Sequence, residues 1–205
     1  MKEERDYIRD ISEIRTMMER SSKFVSLSGW AGIMAGIYAL LGAYFASATF
    51  GFNIGEITSS PNSIPDNFQQ IMLLGLGVLT LAICTAILFS IKKAKQKGEK
   101  LWNATAKRVV VNMAVPLMAG GLLVLILISQ GLISLIAPVT LLFYGMALFN
   151  AGKFTYDEVK TMGLVQIVLG LVAAYFTAYG LVIWAFGFGV VHIVYGIYMH
   201  FKYER

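Results

Sequence analysis

Charge is what long stretches of this 205-residue chain lack: 14% of its residues are Asp, Glu, Lys or Arg, against 57% hydrophobic. One soluble domain of this size buries roughly two-thirds of its surface and needs a charged coat, so the apolar excess here must face lipid. A single cysteine, Cys84, rules out a disulfide scaffold, and the apolar bias rules out disorder. Histidine is almost absent. The two that occur, His192 and His200, stand eight residues apart, which on one helix means about 12 Å of rise and a turn of roughly 80°, so they cannot chelate one metal. A haem held between two histidines would therefore require a dimer. There is no CxxC, HExxH, G-x-S-x-G or phosphate-binding loop. These absences point to no cofactor, no metal and no catalytic residue set.

What the chain does have is six apolar stretches of the length a roughly 30 Å hydrocarbon core requires, at about 24–50, 68–91, 109–128, 132–149, 161–179 and 181–201. The fold expected is all-α: six transmembrane helices arranged as three hairpins, preceded by a cytoplasmic helix over 1–23. The basic residues test the threading independently, because cytoplasmic segments collect Lys and Arg. All 17 fall in residues 1–23, 92–108, 150–160 and the tail after 201, leaving the other three connections with none. Both termini are accordingly expected on the cytoplasmic side. The net charge of +5 is explained by this distribution, with its densest run at Lys92-Lys93-Ala94-Lys95-Gln96-Lys97, and does not call for nucleic acid.

Residues 1–23 repeat Tyr7, Ile8, Ile11, Ile14, Met17 and Met18 at helical spacing and carry six basic and six acidic residues. A helix built to lie on anionic lipid would be predominantly basic, so a cytoplasmic protein or a second copy of the chain is the preferred partner of its polar face. Thr155 with Glu158 has the spacing of a capping box before the fifth span, and Asp66 with Gln69 a similar one before the second. The fourth span is expected to end near Asn150 or Gly152, on a left-handed residue.

Lipid tails are as apolar as leucine, so helices in a bilayer associate where small residues let backbones approach. The first span aligns Gly29, Gly32, Gly36, Ala39 and Ala43; the fifth aligns Gly163, Gln166 and Gly170; the sixth aligns Ala185, Gly189, His192 and Gly196. These faces are expected inside the bundle or at a subunit contact. Pro116 and Pro138 fall within the third and fourth spans, where each frees the carbonyl four residues earlier, at Asn112 and Ser134, and marks an expected kink.

Intramembrane charge usually marks ion paths and proton relays. Every one of the 12 carboxylates here lies outside the spans, which disfavours ion-coupled transport. His192 is the titratable group left at depth, between Gly189 and Gly196 on one face. If the third, fifth and sixth helices adjoin, Asn112, Gln166 and His192 line a polar cavity that suits a small neutral or lipid-like ligand. Several tyrosines, Tyr144 and Tyr195 among them, supply further hydroxyls.

From Tyr144-Gly145 through Thr155-Tyr156-Asp157-Glu158 to Gly187-Phe188-Gly189-Val190-Val191-His192-Ile193-Val194-Tyr195-Gly196, the chain resembles the ending of an uncharacterised family of small bacterial six-helix membrane proteins. Its start, Met17-Met18-Glu19-Arg20-Ser21-Ser22 leading into Gly29, is similar to the same family. The resemblance implies a bacterial cytoplasmic membrane and brings no activity with it. The function expected is a non-enzymatic membrane module, binding, sensory or partner-regulating, that acts through helix packing and self-associates. An uncoupled transporter or channel for a small neutral solute is the alternative, and a membrane-embedded enzyme on a lipid-like substrate the third. A continuous polar groove would favour the alternative; a dry seam would favour the first reading.

Overall fold

A computed structural model describes residues 28–51, 67–96, 98 and 102–204. The amphipathic helix expected over 1–23, the outer-loop prolines and Asp66 of the proposed second-span cap lie outside the described residues. Among those described, all regular structure is helical, and six segments are long and apolar enough to cross a membrane. They are α1 (Gly29–Ala48), α2 (Phe68–Gln96), α3 (Ala104–Ser129), α4 (Ile136–Ala151) together with the 3₁₀ turn Ile133–Leu135 that leads into it, α5 (Asp157–Tyr175) and a composite sixth segment over Thr177–Tyr203.

Local chemistry sets the boundaries. Asn103 begins α3 by accepting the Ala106 N–H on its side-chain oxygen at 2.8 Å, an ordinary N-cap. Gly131 ends it: with φ at +71°, it lets Leu132 N–H reach Leu127 O at 2.8 Å while its own N–H reaches Ile128 O at 3.0 Å. The capping box expected at the start of α5 is not formed. Tyr156 stands at the N-cap, and the Thr155 hydroxyl, fully buried, instead donates backward to Ala151 O at 3.0 Å. Gly152 caps α4 in right-handed geometry, φ −57°, so left-handed freedom is not why it is glycine. A Cβ there would lie 2.8 Å from the Lys160 nitrogen, so the reason is room for α5.

The break between the fifth and sixth spans falls at Phe176, φ −106° and ψ 62°, not at Gly180, which is helical. The sixth segment is also not one continuous α-helix. A 3₁₀ turn (Thr177–Tyr179) leads into α6 (Gly180–Ala185), then a π-helical stretch (Phe186–Val191), then α7 (His192–Tyr203).

Packing follows the small residues. α4 lies between α3 and α5, and α1 packs against α2 on one side and against the π stretch and α7 on the other. The sixth segment thus joins the α1–α2 pair to the α3–α4–α5 group, and its most extensive contact is with α1 rather than with its hairpin partner α5. Gly32 meets Gly196, with a Cβ at Gly32 falling 3.2 Å from the Gly196 Cα, and a Cβ at Gly36 would reach Gly189 O at 2.6 Å. In the other seam a Cβ at Gly163 would sit 2.7 Å from Gly145 O, and one at Gly170 would sit 2.9 Å from Leu142 N. These are backbone atoms of the neighbouring helix, which cannot swing aside as a side chain can. Outward, the chain is apolar: in the most hydrophobic window of α2 no residue is buried, and Leu76, Leu79 and Leu88 are exposed. That combination is the architecture of a multi-pass helical membrane protein.

Two glycine substitutions separate these cases. Gly163→Ala should destabilise the protein by about 1–3 kcal/mol through overpacking against the Gly145 carbonyl. Gly75→Ala, on α2 with nothing within 4 Å of the added methyl, should be neutral or stabilise by up to about 1 kcal/mol. Thermal unfolding in detergent reads both, and equal effects at the two sites would contradict the packing described.

Candidate functional site

The one elaborate polar cluster away from the charged end of the bundle is built around a single carbonyl. In a π-helical turn the backbone ladder shifts by one residue, and such turns occur often at functional sites. Here the sequence that adopts it, Phe186-Gly187-Phe188-Gly189-Val190-Val191, holds two glycines at points where neighbours crowd the backbone. A Cβ on Gly187 would lie 2.7 Å from both Gln166 Oε1 and Leu141 Cδ2, and one on Gly189 would lie 2.6 Å from Leu40 Cγ. A larger residue at either position would require the Gln166, Leu141 or Leu40 side chains to move.

The Gly187 carbonyl accepts two side-chain hydrogen bonds, from Gln166 Nε2 at 2.8 Å and from His192 Nδ1 at 3.0 Å. A carbonyl only accepts, so the His192 hydrogen is on Nδ1. The other ring nitrogen, Nε2, then accepts the Tyr144 hydroxyl at 2.9 Å. The ring is neutral in this arrangement, since no carboxylate contacts it to balance a buried imidazolium. Aromatic faces enclose it: Tyr144 and Phe188 stack on the imidazole with centroids 5.4 Å and 5.6 Å away, and Trp184 packs on Phe188 at 4.9 Å. Gln166 is 0% exposed and His192 5%.

Each interhelical hydrogen bond in a membrane protein contributes only about 0.6 kcal/mol on average. The two here, Gln166 to Gly187 and Tyr144 to His192, therefore fix the rotation and depth of α4 and α5 against the sixth segment more than they hold the bundle together, a task left to the glycine seams. Chemically the cluster sets one hydroxyl against one base, Tyr144 on His192 Nε2, with the imidazole oriented by the Gly187 carbonyl. Gln166 Oε1 and Tyr195 Oη are buried oxygens without a hydrogen-bond partner among the described residues. A shallow apolar groove lined by Phe176, Tyr179, Val182 and Ile183 lies elsewhere on the sixth segment and includes none of the cluster residues.

Of the three residues expected to share a cavity, the structure brings together two. Gln166 and His192 meet on Gly187, whereas Asn112 stays on α3, its side-chain nitrogen donating to Arg108 O of its own helix at 2.8 Å. The adjacency that would have joined them is missing, because α3 packs mainly on α4. Pro116 lies inside α3 and is buried, and Asn112 bonds one turn behind the carbonyl which that proline frees. Pro138 is the third residue of α4, where a helix start tolerates proline without losing an interior hydrogen bond.

A second network closes the end of the bundle where the basic residues gather. Glu204 Oε1 accepts the Gly29 N–H and the Lys93 ammonium, each at 2.9 Å, and its Oε2 takes a hydrogen bond from His200 Nδ1 at 2.7 Å. Burial by itself would raise this carboxyl, but His200, Lys93 and the Gly29 N–H together outweigh it and hold it down at about 2. Nearby, Glu158 is bonded to Lys202 and to the Tyr203 hydroxyl, tying the start of α5 to the end of α7. Neither Gly187 nor Glu204 stands out in the sequence as a site residue. The Gly-Phe-Gly run just before His192 is a legible hint of cheap backbone distortion; for Glu204, 175 residues from its partner Gly29, no local signal exists.

Fold and cluster together define a multi-pass helical membrane protein with a buried histidine–glutamine–tyrosine site on a π turn. No protein-family profile, curated protein or solved structure matches the chain.

The tautomer is directly measurable. Nitrogen-15 NMR of the histidine side chains should show His192 as the Nδ1–H form, and Tyr144→Phe should shift its Nε2 resonance while lowering stability by about 1 kcal/mol. A His192 carrying its proton on Nε2 would contradict the geometry.

Proposed function

We propose that this chain is a non-enzymatic protein of the bacterial cytoplasmic membrane, with both termini inside, that works as a binding or partner-regulating module through helix packing. The observation that carries this reading is how the groups of the buried cluster spend their hydrogen bonds. Gln166 and His192 both bond to the Gly187 carbonyl and Tyr144 bonds to His192, enclosed by Leu141, Phe188 and Trp184, and they do not ring an open passage. A path for a solute needs a wall of polar groups that turn toward water along its length. An enzyme must bring its reactive pair to a substrate, whereas the His192 end of the Tyr144–His192 pair is buried under the Tyr144 and Phe188 rings.

Location and orientation are supported by the distribution of the 17 basic residues and by the likeness to small bacterial six-helix proteins. The partner is a cytoplasmic protein or a second copy of this chain, taken up by residues 1–23 with their balanced charges. Gly32, Gly36, Gly189 and Gly196 are already covered within one chain, so self-association uses other surfaces. In this account His192 is a positioning residue: it sets how the sixth segment sits against α4 and α5, and thereby the geometry at the charged end that a partner meets.

Flux through proteoliposomes across a panel of neutral solutes, at varied pH, tests the reading. The expected result is no flux above protein-free vesicles, with His192→Ala lowering thermal stability and leaving the flux unchanged. Reproducible transport that His192→Ala abolishes in a folded protein would replace this function with that of an uncoupled transporter.

A further inference from the structure

Three donors converge on the Glu204 carboxylate, two of them from helices remote in sequence and the third from the helix that Glu204 follows. Gly29 offers the first free N–H of α1, where the helix dipole is positive. Lys93 offers its ammonium from the end of α2, and His200 offers Nδ1–H from the last turn of α7. Lys93 is only 8% exposed although it sits at a helix end, where a lysine ordinarily snorkels out to water. Its neighbours Lys92 and Lys95 do so and are exposed. The buried ammonium is thus aimed at this place, and an anion is seated there. The Glu204 backbone is tethered to the end of the last helix, with its N–H on His200 O at 3.0 Å.

The position of the cradle says which anion suits it. Gly29 is the first helical residue of an apolar span, and Lys93 lies in the last turn of another, so the cradle lies at the level where a bilayer changes from hydrocarbon to headgroups. Trp30, 47% exposed, packs edge to face on His200 with centroids 5.5 Å apart, as a tryptophan at a membrane interface does. A backbone N–H at a helix start, an ammonium and an imidazole N–H are also the donors that hold phosphate oxygens. We infer that the Gly29–Lys93–His200 cradle is a binding site for the phosphate group of an anionic lipid, and that Glu204 is its tethered resident, exchanged for the headgroup.

Competition decides the source of the phosphate. A short tether presents its group at an effective concentration on the order of millimolar, so Glu204 holds the cradle against dilute free phosphate. Headgroups packed side by side in a leaflet, drawn in by Lys92 and Lys95, compete on far better terms. Entry of a lipid phosphate releases Glu204 from α1 and α2. The lipid thereby controls whether the end of α7 is tied to those helices, an effect that does not depend on the function proposed above.

The test compares full-length wild type, Glu204→Ala and Glu204→Gln in bilayers of phosphatidylcholine alone and with phosphatidylglycerol. Thermal unfolding and native mass spectrometry of retained lipid are the readouts. Glu204→Ala should lose several degrees of Tm in pure phosphatidylcholine, regain most of it with phosphatidylglycerol, and retain one more phosphatidylglycerol per chain than wild type. The recovery should vanish in Lys93→Ala/Glu204→Ala and persist in Lys92→Ala/Glu204→Ala, which removes an equal charge outside the cradle. If Glu204→Ala does not fold, Glu204→Gln keeps the shape without the charge and should show the same extra lipid. Recovery that is equal in the Lys93 and Lys92 double variants would reduce the effect to diffuse attraction and overturn the site. Absence of an extra lipid in both Glu204 variants would overturn it too. Recovery by millimolar inorganic phosphate in pure phosphatidylcholine would overturn the lipid assignment.

Discussion

A hydrocarbon environment gives helices neither water to bond their backbones nor a solvophobic reason to touch, and the rest of this structure follows from that constraint. The helices must satisfy their backbones internally and then gain their contact energy by close approach. Two glycine seams accomplish this: Gly32 and Gly36 against Gly189 and Gly196, and Gly145 against Gly163. Both seams bring backbone against backbone, so they are intolerant of even one added methyl group. They also run along the sixth segment and α5, which is why those elements can carry a site between them.

The π turn shows the same economy at one residue. Gly187 is small enough for Gln166 and Leu141 to press on it, and its carbonyl takes two side-chain donors. A buried amide and a buried imidazole are thereby satisfied by one backbone atom, with the Tyr144 hydroxyl completing the histidine. The result is a rigid junction between α4, α5 and α7 in the apolar interior. At the other level of the molecule, Glu204 performs a comparable duty for α1 and α2 with charged groups. The interior junction sets how the helices are turned, and the charged one sets how their ends are drawn together.

Much of the fold was legible in the sequence because it depends on local composition. Apolar length gives the six segments, and the glycine rows on the first, fifth and sixth spans are faces that do meet neighbours. Contacts that depend on which helices adjoin were not legible. Asn112, Gln166 and His192 share a depth, but α3 packs on α4, so Asn112 is left with Arg108 O. Thr155 and Glu158 have capping-box spacing, yet each found a better partner, Ala151 O and the Lys202–Tyr203 pair, once α4 and α7 were in place. The π turn escaped notice for a related reason: the side chains around its glycines come from three other helices, and periodicity cannot report such contacts.

The glycine faces of α1 and the sixth segment close upon each other within a single chain. Solid-state NMR in lipid bilayers can measure this closure through carbon–carbon correlations between the Gly32 and Gly196 Cα atoms, with labelled protein diluted into unlabelled protein. The cross-peak, normalised to labelled protein, should be unchanged by dilution. A cross-peak that fades in proportion to the dilution would mean the two glycines meet across neighbouring molecules, and the packing described here would be wrong.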